Sequence, residues 1–286
     1  MQSIGIFDSG YGGLTILRQI RALLPQYDYL YLGDNARAPY GTRSFELVYE
    51  FTLQAVTRLF EEGCPLVILG CNTASAKALR TIQQNDLPAL DATLDGREMT
   101  PGFQPNRRVL GVIRPTAEVI GEMTQTRHVG ILATPGTIAS QTYNMEIGKL
   151  YPDIEVSGVA CPMWVQLVES GETDTPGADY FVEKRLSELL TADPQIDAII
   201  LGCTHYPLLL DKIHRHTPQH IKILSQGEYV ANSLQAYLQR HSDIEQRISR
   251  TGTTRFLTTE EADIFQINAA RFLGEESIQA ERISLG

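Results

Sequence analysis

The sequence predicts an α/β fold made of two similar doubly wound parallel-sheet domains, related by a pseudo-twofold axis with the active site in the cleft between them. Three observations carry this. Short β-rich runs alternate with glycine turns and amphipathic helical patterns, the signature of a parallel sheet covered by helices on both faces. A strand phrase near the N-terminus, "SIGIFDSG" at residues 3–10, is echoed by "HVGILATPG" at 128–136, each with glycine at its third position. A second phrase also occurs twice: "VILGCNTAS" at 67–75 and "IILGCTHYP" at 199–207. A gene duplication accounts for both echoes together. With 286 residues the chain is long for one ordinary core and comfortable for two domains of about 140 residues each.

The elements follow in order. Residues 3–7 form a β-rich run, then Asp8-Ser9-Gly10-Tyr11-Gly12-Gly13 turns into a helix with Leu14, Leu17, Ile20, Leu23 and Leu24 on one face. Residues 27–32 form a second strand ending at Gly33-Asp34. Residues 44–62 form a long amphipathic helix capped by Ser44, and 65–69 a third strand running into Gly70-Cys71. Pro101, Gly102, Pro105 and two arginines mark a long loop over 99–108. In the second half, 128–133 reads as a strand, Thr134-Pro135-Gly136-Thr137 as a turn, 138–150 as a helix and 196–201 as the strand that delivers Cys203. The chain crosses back near Ser225-Gln226-Gly227. These shifts divide it into 1–114 plus 226–286, carrying Cys71, and 115–225, carrying Cys203.

Composition excludes several function classes. The net charge of −10 is spread along the chain, so there is no electrostatic footprint for nucleic acid or an anionic membrane. The start of the sequence lacks the pattern of a signal peptide and no run approaches the ~20 apolar residues of a membrane span, so a cytoplasmic protein is expected. Four cysteines, widely separated and without a Cys-x-x-Cys pair, are expected as thiols in a reducing compartment. Neither Cys203 with His205 nor the group His214, His216 and His220 has a second half at structural-zinc spacing, and the latter reads as a solvated helix end. No metal is expected. Thr15 stands where a third glycine would complete a dinucleotide fingerprint after Gly10-Tyr11-Gly12, so no nucleotide cofactor is expected either.

Cys64 and Cys161 read as small buried hydrophobes. Cys71 and Cys203 do not, because both fall at carboxyl ends of predicted strands, where the ligand crevice of a parallel sheet lies. Asn72, Thr73 and Ser75 can cap the helix that begins after Cys71, setting the thiol beside free N–H groups. A helix N-terminus supplies only ~0.3–1 kcal/mol, less than one pKa unit, so each thiol needs a helper. His205, two residues from Cys203, can relay a proton. Asp8 can reach the crevice near Cys71, as a proton relay or an ammonium partner rather than a thiolate stabiliser.

The phrases "IGIFDSGYGGLTIL", "YLGDNARAPYGTRS", "ILGCNTASA", "ACPMWVQLVE" and "LGCTHYPLL", in this order, resemble the glutamate racemase family over most of the chain. The resemblance implies a cofactor-independent enzyme interconverting L- and D-glutamate for peptidoglycan synthesis, usually a homodimer. Cys71 and Cys203 match the family's two catalytic thiols. Asp8, Ser9, Tyr40, Gly41, Asn72, Thr73, Thr204 and His205 match positions that bind glutamate or assist the thiols. The sequence departs from the family at Asn35, Arg114 and Ser225-Gln226, and residues 91–108 are longer than usual. Two thiols on opposite faces of a substrate carbon suit proton removal from one face and return to the other. Other readings stay open: acyl transfer by Cys203 and His205 without Cys71, a non-catalytic binding protein for an acidic amino acid, or a racemase relative acting on aspartate or another acidic substrate.

Overall fold

The computed structural model describes residues 2–275 and 277–285. Among these residues ten strands build two parallel sheets. The first holds β1 (Ile4–Asp8), β2 (Tyr29–Gly33), β3 (Leu66–Leu69), β4 (Arg108–Gly111), β9 (Thr254–Thr258) and β10 (Ala280–Arg282), in the order β10-β9-β2-β1-β3-β4. The second holds β5 (His128–Ala133), β6 (Glu155–Ala160), β7 (Ala198–Gly202) and β8 (Lys222–Leu224), in the order β6-β5-β7-β8. The shared topology is plain at the centre of each sheet. β1 lies between β2 and β3 with β4 beyond, and β5 lies between β6 and β7 with β8 beyond. The strands that precede Cys71 and Cys203 therefore hold equivalent places.

Both central strands are buried on both faces, as continuous apolar runs in parallel sheets should be. The helix α1 (Gly13–Leu23) turns Leu14, Leu17 and Ile20 inward, as its spacing predicts, and Leu24 is buried just beyond its end. Leu23 departs from the expected face and is exposed. In α2 (Phe45–Glu61) the buried set Val48, Thr52, Ala55, Val56, Leu59 and Phe60 repeats at helical spacing. Its start is set by Ser44, whose Oγ accepts from Leu47 N at 3.3 Å. Cys64 and Cys161 are enclosed in the apolar cores, 1% and 0% exposed.

The region expected as one helix over 138–150 is two helices, Pro135–Ala139 and Thr142–Leu150. Gln141 breaks them with φ +55°, and Ser140 closes the corner by donating to Thr137 O at 2.6 Å and accepting from Thr142 N at 3.2 Å. Short polar side chains that bond local backbone compete with helix continuation in this way. The expected loop over 99–108 follows a helix that runs to Asp95 and ends at Gly96, φ +62°. It is anchored by buried Asp91, which accepts from Arg97 at 2.5 Å, Asn106 N at 2.7 Å and Arg107 at 2.7 Å.

The chain leaves the first sheet after Gly111 and, from β8, returns through the Gly227–Arg240 helix, which packs on α1 and on the Ile113–Met123 helix. Two crossings thus join the two sheets side by side. Among the described residues no helix is long and apolar enough to cross a membrane.

Candidate active site

Parallel strands aim their carboxyl ends at one crevice, and here three of them converge. β1 delivers Asp8 and Ser9, the end of β3 leads into Cys71, and β7 leads into Cys203. Asp8, Ser9, Tyr40, Gly41, Cys71, Asn72, Thr73, Cys203, Thr204 and His205 all line one cavity. The ten residues that the resemblance assigns to the site are therefore brought together. The cavity is small, about 20 Å³, room for about one water. A substrate with two carboxylates enters only if the two halves part. The contacts that must yield include Thr73 Oγ1 with Thr134 Oγ1 at 2.9 Å, the bond from Gly136 N to Gly41 O at 2.8 Å and the bond from Tyr143 Oη to Asn72 Oδ1 at 2.8 Å.

A larger cavity of about 630 Å³ lies elsewhere between the halves, beside Lys77, Arg80, Arg114, Glu146 and Tyr237. It holds none of the predicted site residues. Both thiols face the smaller one, and chemistry rather than volume identifies the site.

Cys71 is itself the cap of the helix α3 (Asn72–Lys77), its Sγ accepting from Ala74 N at 3.5 Å. That corrects the expectation that Asn72, Thr73 and Ser75 do the capping. With the thiol in the capping position those three lie in the helix: Asn72 and Thr73 reach across to the second sheet's helices, and Ser75 donates back to Leu69 O at 3.0 Å. Ser9 Oγ is 3.4 Å from Cys71 Sγ. Burial, and then the Asp8 carboxylate, push the Cys71 thiol up to about 12, against the hydrogen bonds from Ser9 and Ala74. At neutral pH Cys71 is a protonated thiol.

The other thiol has a cation beside it. Cys203 Sγ is 3.8 Å from His205 Nδ1, and His205 Nε2 is 2.9 Å from Glu169 Oε1, while the ring stands edge-on to Phe272. Burial opposes the imidazolium, but hydrogen bonds to Cys203 and Glu169 outweigh it and lift His205 to about 10. An imidazolium at that sulfur stabilises negative charge on it. The two thiols, equivalent in topology, therefore stand in opposite electrostatic settings.

Asp8 lies between them in the chemistry of the site. Its Oδ2 accepts from Gly10 N at 2.8 Å, while its buried Oδ1 has no hydrogen-bond partner among the described residues. That oxygen is available to an ammonium group. Burial pushes the carboxyl up to about 6, against the pull of the His205 cation and the N–H groups of Gly10 and Gly13. The sign follows from the raised value: the group favours the folded state below pH 3.8, and that advantage is lost as pH rises through about 6. Above pH 6 the buried carboxylate costs on the order of 3 kcal/mol. Asp8→Asn is accordingly expected to be more stable than the wild type at pH 8, with the gain fading towards pH 4, in urea unfolding measured across that range. Equal or lower stability of the variant at pH 8 would contradict this placement of the charge.

Tyr40 lines the cavity, but its hydroxyl donates to Asp34, which Arg37 Nε also holds at 2.7 Å. What it offers a substrate is its ring and the backbone that leads to Gly41. Thr204 is tied through its carbonyl, which accepts from Thr15 Oγ1 at 2.9 Å. The histidines expected at a solvated helix end are there: His214 and His220 are exposed, and His216 Nε2 lies 3.2 Å from Asp179. Among the described residues no group of three His, Cys, Asp or Glu side chains is placed to hold a metal ion.

Two residues were missed in the sequence. Thr134 joins Thr73 and Thr137 in a hydroxyl triangle, and Glu169 orients His205. Thr134 was visible only as part of a turn at a strand end. Glu169, in the phrase "ACPMWVQLVE", ends the Trp164–Glu169 helix 36 residues before its partner, a distance no local pattern spans.

A family model, Asp/Glu/Hydantoin racemase, matches residues 14–233. The chain belongs to that family. Within the racemases it is 38% identical over 281 residues to the glutamate racemase of Roseobacter denitrificans, covering 95% of this chain and 96% of that one. Among solved structures it resembles the glutamate racemase isoform RacE1 of Bacillus anthracis, with TM-score 0.85, 32% identity and coverage of 99% and 98% of the two chains. The glutamate racemase of Francisella tularensis, determined in complex with D-glutamate, matches with TM-score 0.81 and 30% identity, covering 99% of this chain and 98% of that one. The racemase fold is thus spanned from end to end.

Proposed function

We propose that the protein interconverts L- and D-glutamate without an added cofactor, Cys71 and Cys203 exchanging the α-proton on opposite faces of the substrate carbon. The observation that carries this reading is the pair of thiols on topologically equivalent strand ends, lining one small cavity. A nucleophilic hydrolase would use one of them. Protonated Cys71 suits the acid role, and Cys203, beside the His205 imidazolium, suits the base; the roles exchange with the hand of the substrate. His205, held by Glu169, moves the proton to and from Cys203, and the free oxygen of Asp8 takes the substrate ammonium. Ser9, Gly41, Asn72, Thr73 and Thr204, with Tyr40 as a wall, receive the carboxylates. Relatives named glutamate racemase at near full length favour glutamate over the shorter aspartate as substrate. Supply of D-glutamate for peptidoglycan, work in the cytoplasm and assembly as a homodimer belong to the same proposal.

Isotopic labelling tests it. The thiolate that takes the α-proton of L-glutamate is not the group that protonates the other face, and the returning thiol carries a solvent hydrogen. In heavy water, early D-glutamate should contain deuterium at Cα while recovered L-glutamate stays mostly protium, and the converse should hold from the D side. Mass spectrometry of the separated enantiomers reads both. Unlabelled early product would point to a single base, and absence of the opposite enantiomer to a binding protein.

A further inference from the structure

The side chain of Asn72 has both ends committed before any substrate arrives. Its Nδ2 donates to Gln226 Oε1 at 2.6 Å, Gln226 Nε2 donates to Tyr143 Oη at 2.8 Å, and Tyr143 Oη donates to Asn72 Oδ1 at 2.8 Å. The three bonds form a closed ring with one sense of donation. All three side chains are 2% exposed. They come from three places: Asn72 from α3 beside Cys71, Tyr143 from the Thr142–Leu150 helix of the other half, and Gln226 from the crossing that returns the chain to the first sheet. The remaining amide hydrogen of Gln226 faces Thr116 Oγ1 at 3.0 Å and Val112 O at 3.2 Å, in the other crossing. One side chain thus joins both crossings to a residue that lines the cavity.

We propose that Gln226 is a positioning residue that sets the orientation of the Asn72 amide and thereby substrate affinity. This rests on the reading that acidic amino acids bind in the cavity. Only an amide serves at position 226. Oε1 must accept from Asn72 while Nε2 donates in two directions, and a carboxylate of the same shape supplies no donor to Tyr143, Thr116 or Val112. With the ring intact, Asn72 Nδ2 keeps one hydrogen free for a substrate carboxylate. With it broken, the amide is free to flip and to present its oxygen instead.

Gln226→Ala and Gln226→Glu should each raise KM for both enantiomers about tenfold, with kcat changed much less, as loss of one buried hydrogen-bond arrangement implies. Asn72→Ala should raise KM at least as much, and the double variant Asn72→Ala/Gln226→Ala should be no worse than Asn72→Ala alone, because Gln226 acts through Asn72. Unfolding midpoints separate this from instability, which would lower the folded fraction and leave KM in place. An unchanged KM in folded Gln226 variants overturns the proposal, as do additive effects in the double variant. A wild type that does not racemise glutamate sinks the preceding reading but not this one. The side-chain NH₂ resonances of Asn72, assigned by their loss in Asn72→Ala, then decide: slow hydrogen exchange in the wild type and fast exchange in Gln226→Ala support it, and equal rates overturn it.

Discussion

Cys71→Ala and Cys203→Ala are each expected to lower racemisation in both directions by about 10³-fold or more, within or beyond the range that positioned acid–base groups supply. Each thiol serves one face of the substrate carbon, so conversion in either direction uses both. The fold should survive. Cys71 and Cys203 are 6% exposed and sit at strand ends on the margin of the apolar clusters, where losing one sulfur removes little packing. Cys71→Ala gives up two long contacts of the sulfur, with Ala74 N at 3.5 Å and with Ser9 Oγ at 3.4 Å. Circular dichroism and calorimetric glutamate binding should therefore stay close to wild type while turnover, followed by polarimetry, is lost. Substantial racemisation in Cys71→Ala alone would make Cys203, with His205, the single base. Substantial activity in Cys203→Ala would make Cys71 the single base.

The parts of this site that were legible in the sequence share one property: they sit at the junction of a strand and its turn. Asp8, Cys71 and Cys203 follow runs whose apolar pattern marks a parallel strand, and such a strand fixes where its carboxyl end points. The repeated Ile-Leu-Gly-Cys phrase carried more. It implied equivalent strands in equivalent sheets, and β3 and β7 take matching places beside β1 and β5. The reach of pattern ends where partners come from distant segments. Glu169 and His205 are joined across two helices of the second half, and Asn72 and Gln226 are 154 residues apart. Nothing in a hydrophobic period says which buried amide meets which.

Local competition explains the smaller differences. The helical period over 138–150 is real, but Ser140 and Gln141 turn the backbone through a left-handed residue that periodicity does not register. The polar run after Cys71 looked like a set of caps because Asn, Thr and Ser favour that position. In the fold the sulfur takes the cap, and Asn72 and Thr73 are left to face the other half of the molecule. Both side chains help to close the cleft, Thr73 against Thr134 and the Asn72 oxygen against Tyr143. The residues that would hold a substrate are thus the ones that hold the halves together without it.

Gly12→Ala should cost at least about 10²-fold in turnover, although it touches neither thiol. A Cβ at Gly12 would lie 2.4 Å from His205 Nδ1 and 2.4 Å from Thr204 Oγ1, well inside contact distance. The backbone there is ordinary, φ −58° and ψ −38°, so alanine brings no backbone strain, although glycine is the better residue at this N-cap position. The conflict falls on the imidazole. His205 is pinned by Glu169 at 2.9 Å, by Cys203 at 3.8 Å and by the edge contact with Phe272, so it cannot move aside and keep those partners. A displacement of about 1 Å in a proton-transfer group is enough for a loss of about 10²-fold. Loss of the pairing should also be visible directly. With Cys203 and Glu169 no longer both in reach, the raised pKa of His205, about 10 in the wild type, should fall towards 6.5, as followed by NMR titration of its ring. If Gly12→Ala turns over at the wild-type rate with His205 still protonated at pH 8, the close approach of α1 to the histidine has no part in the chemistry.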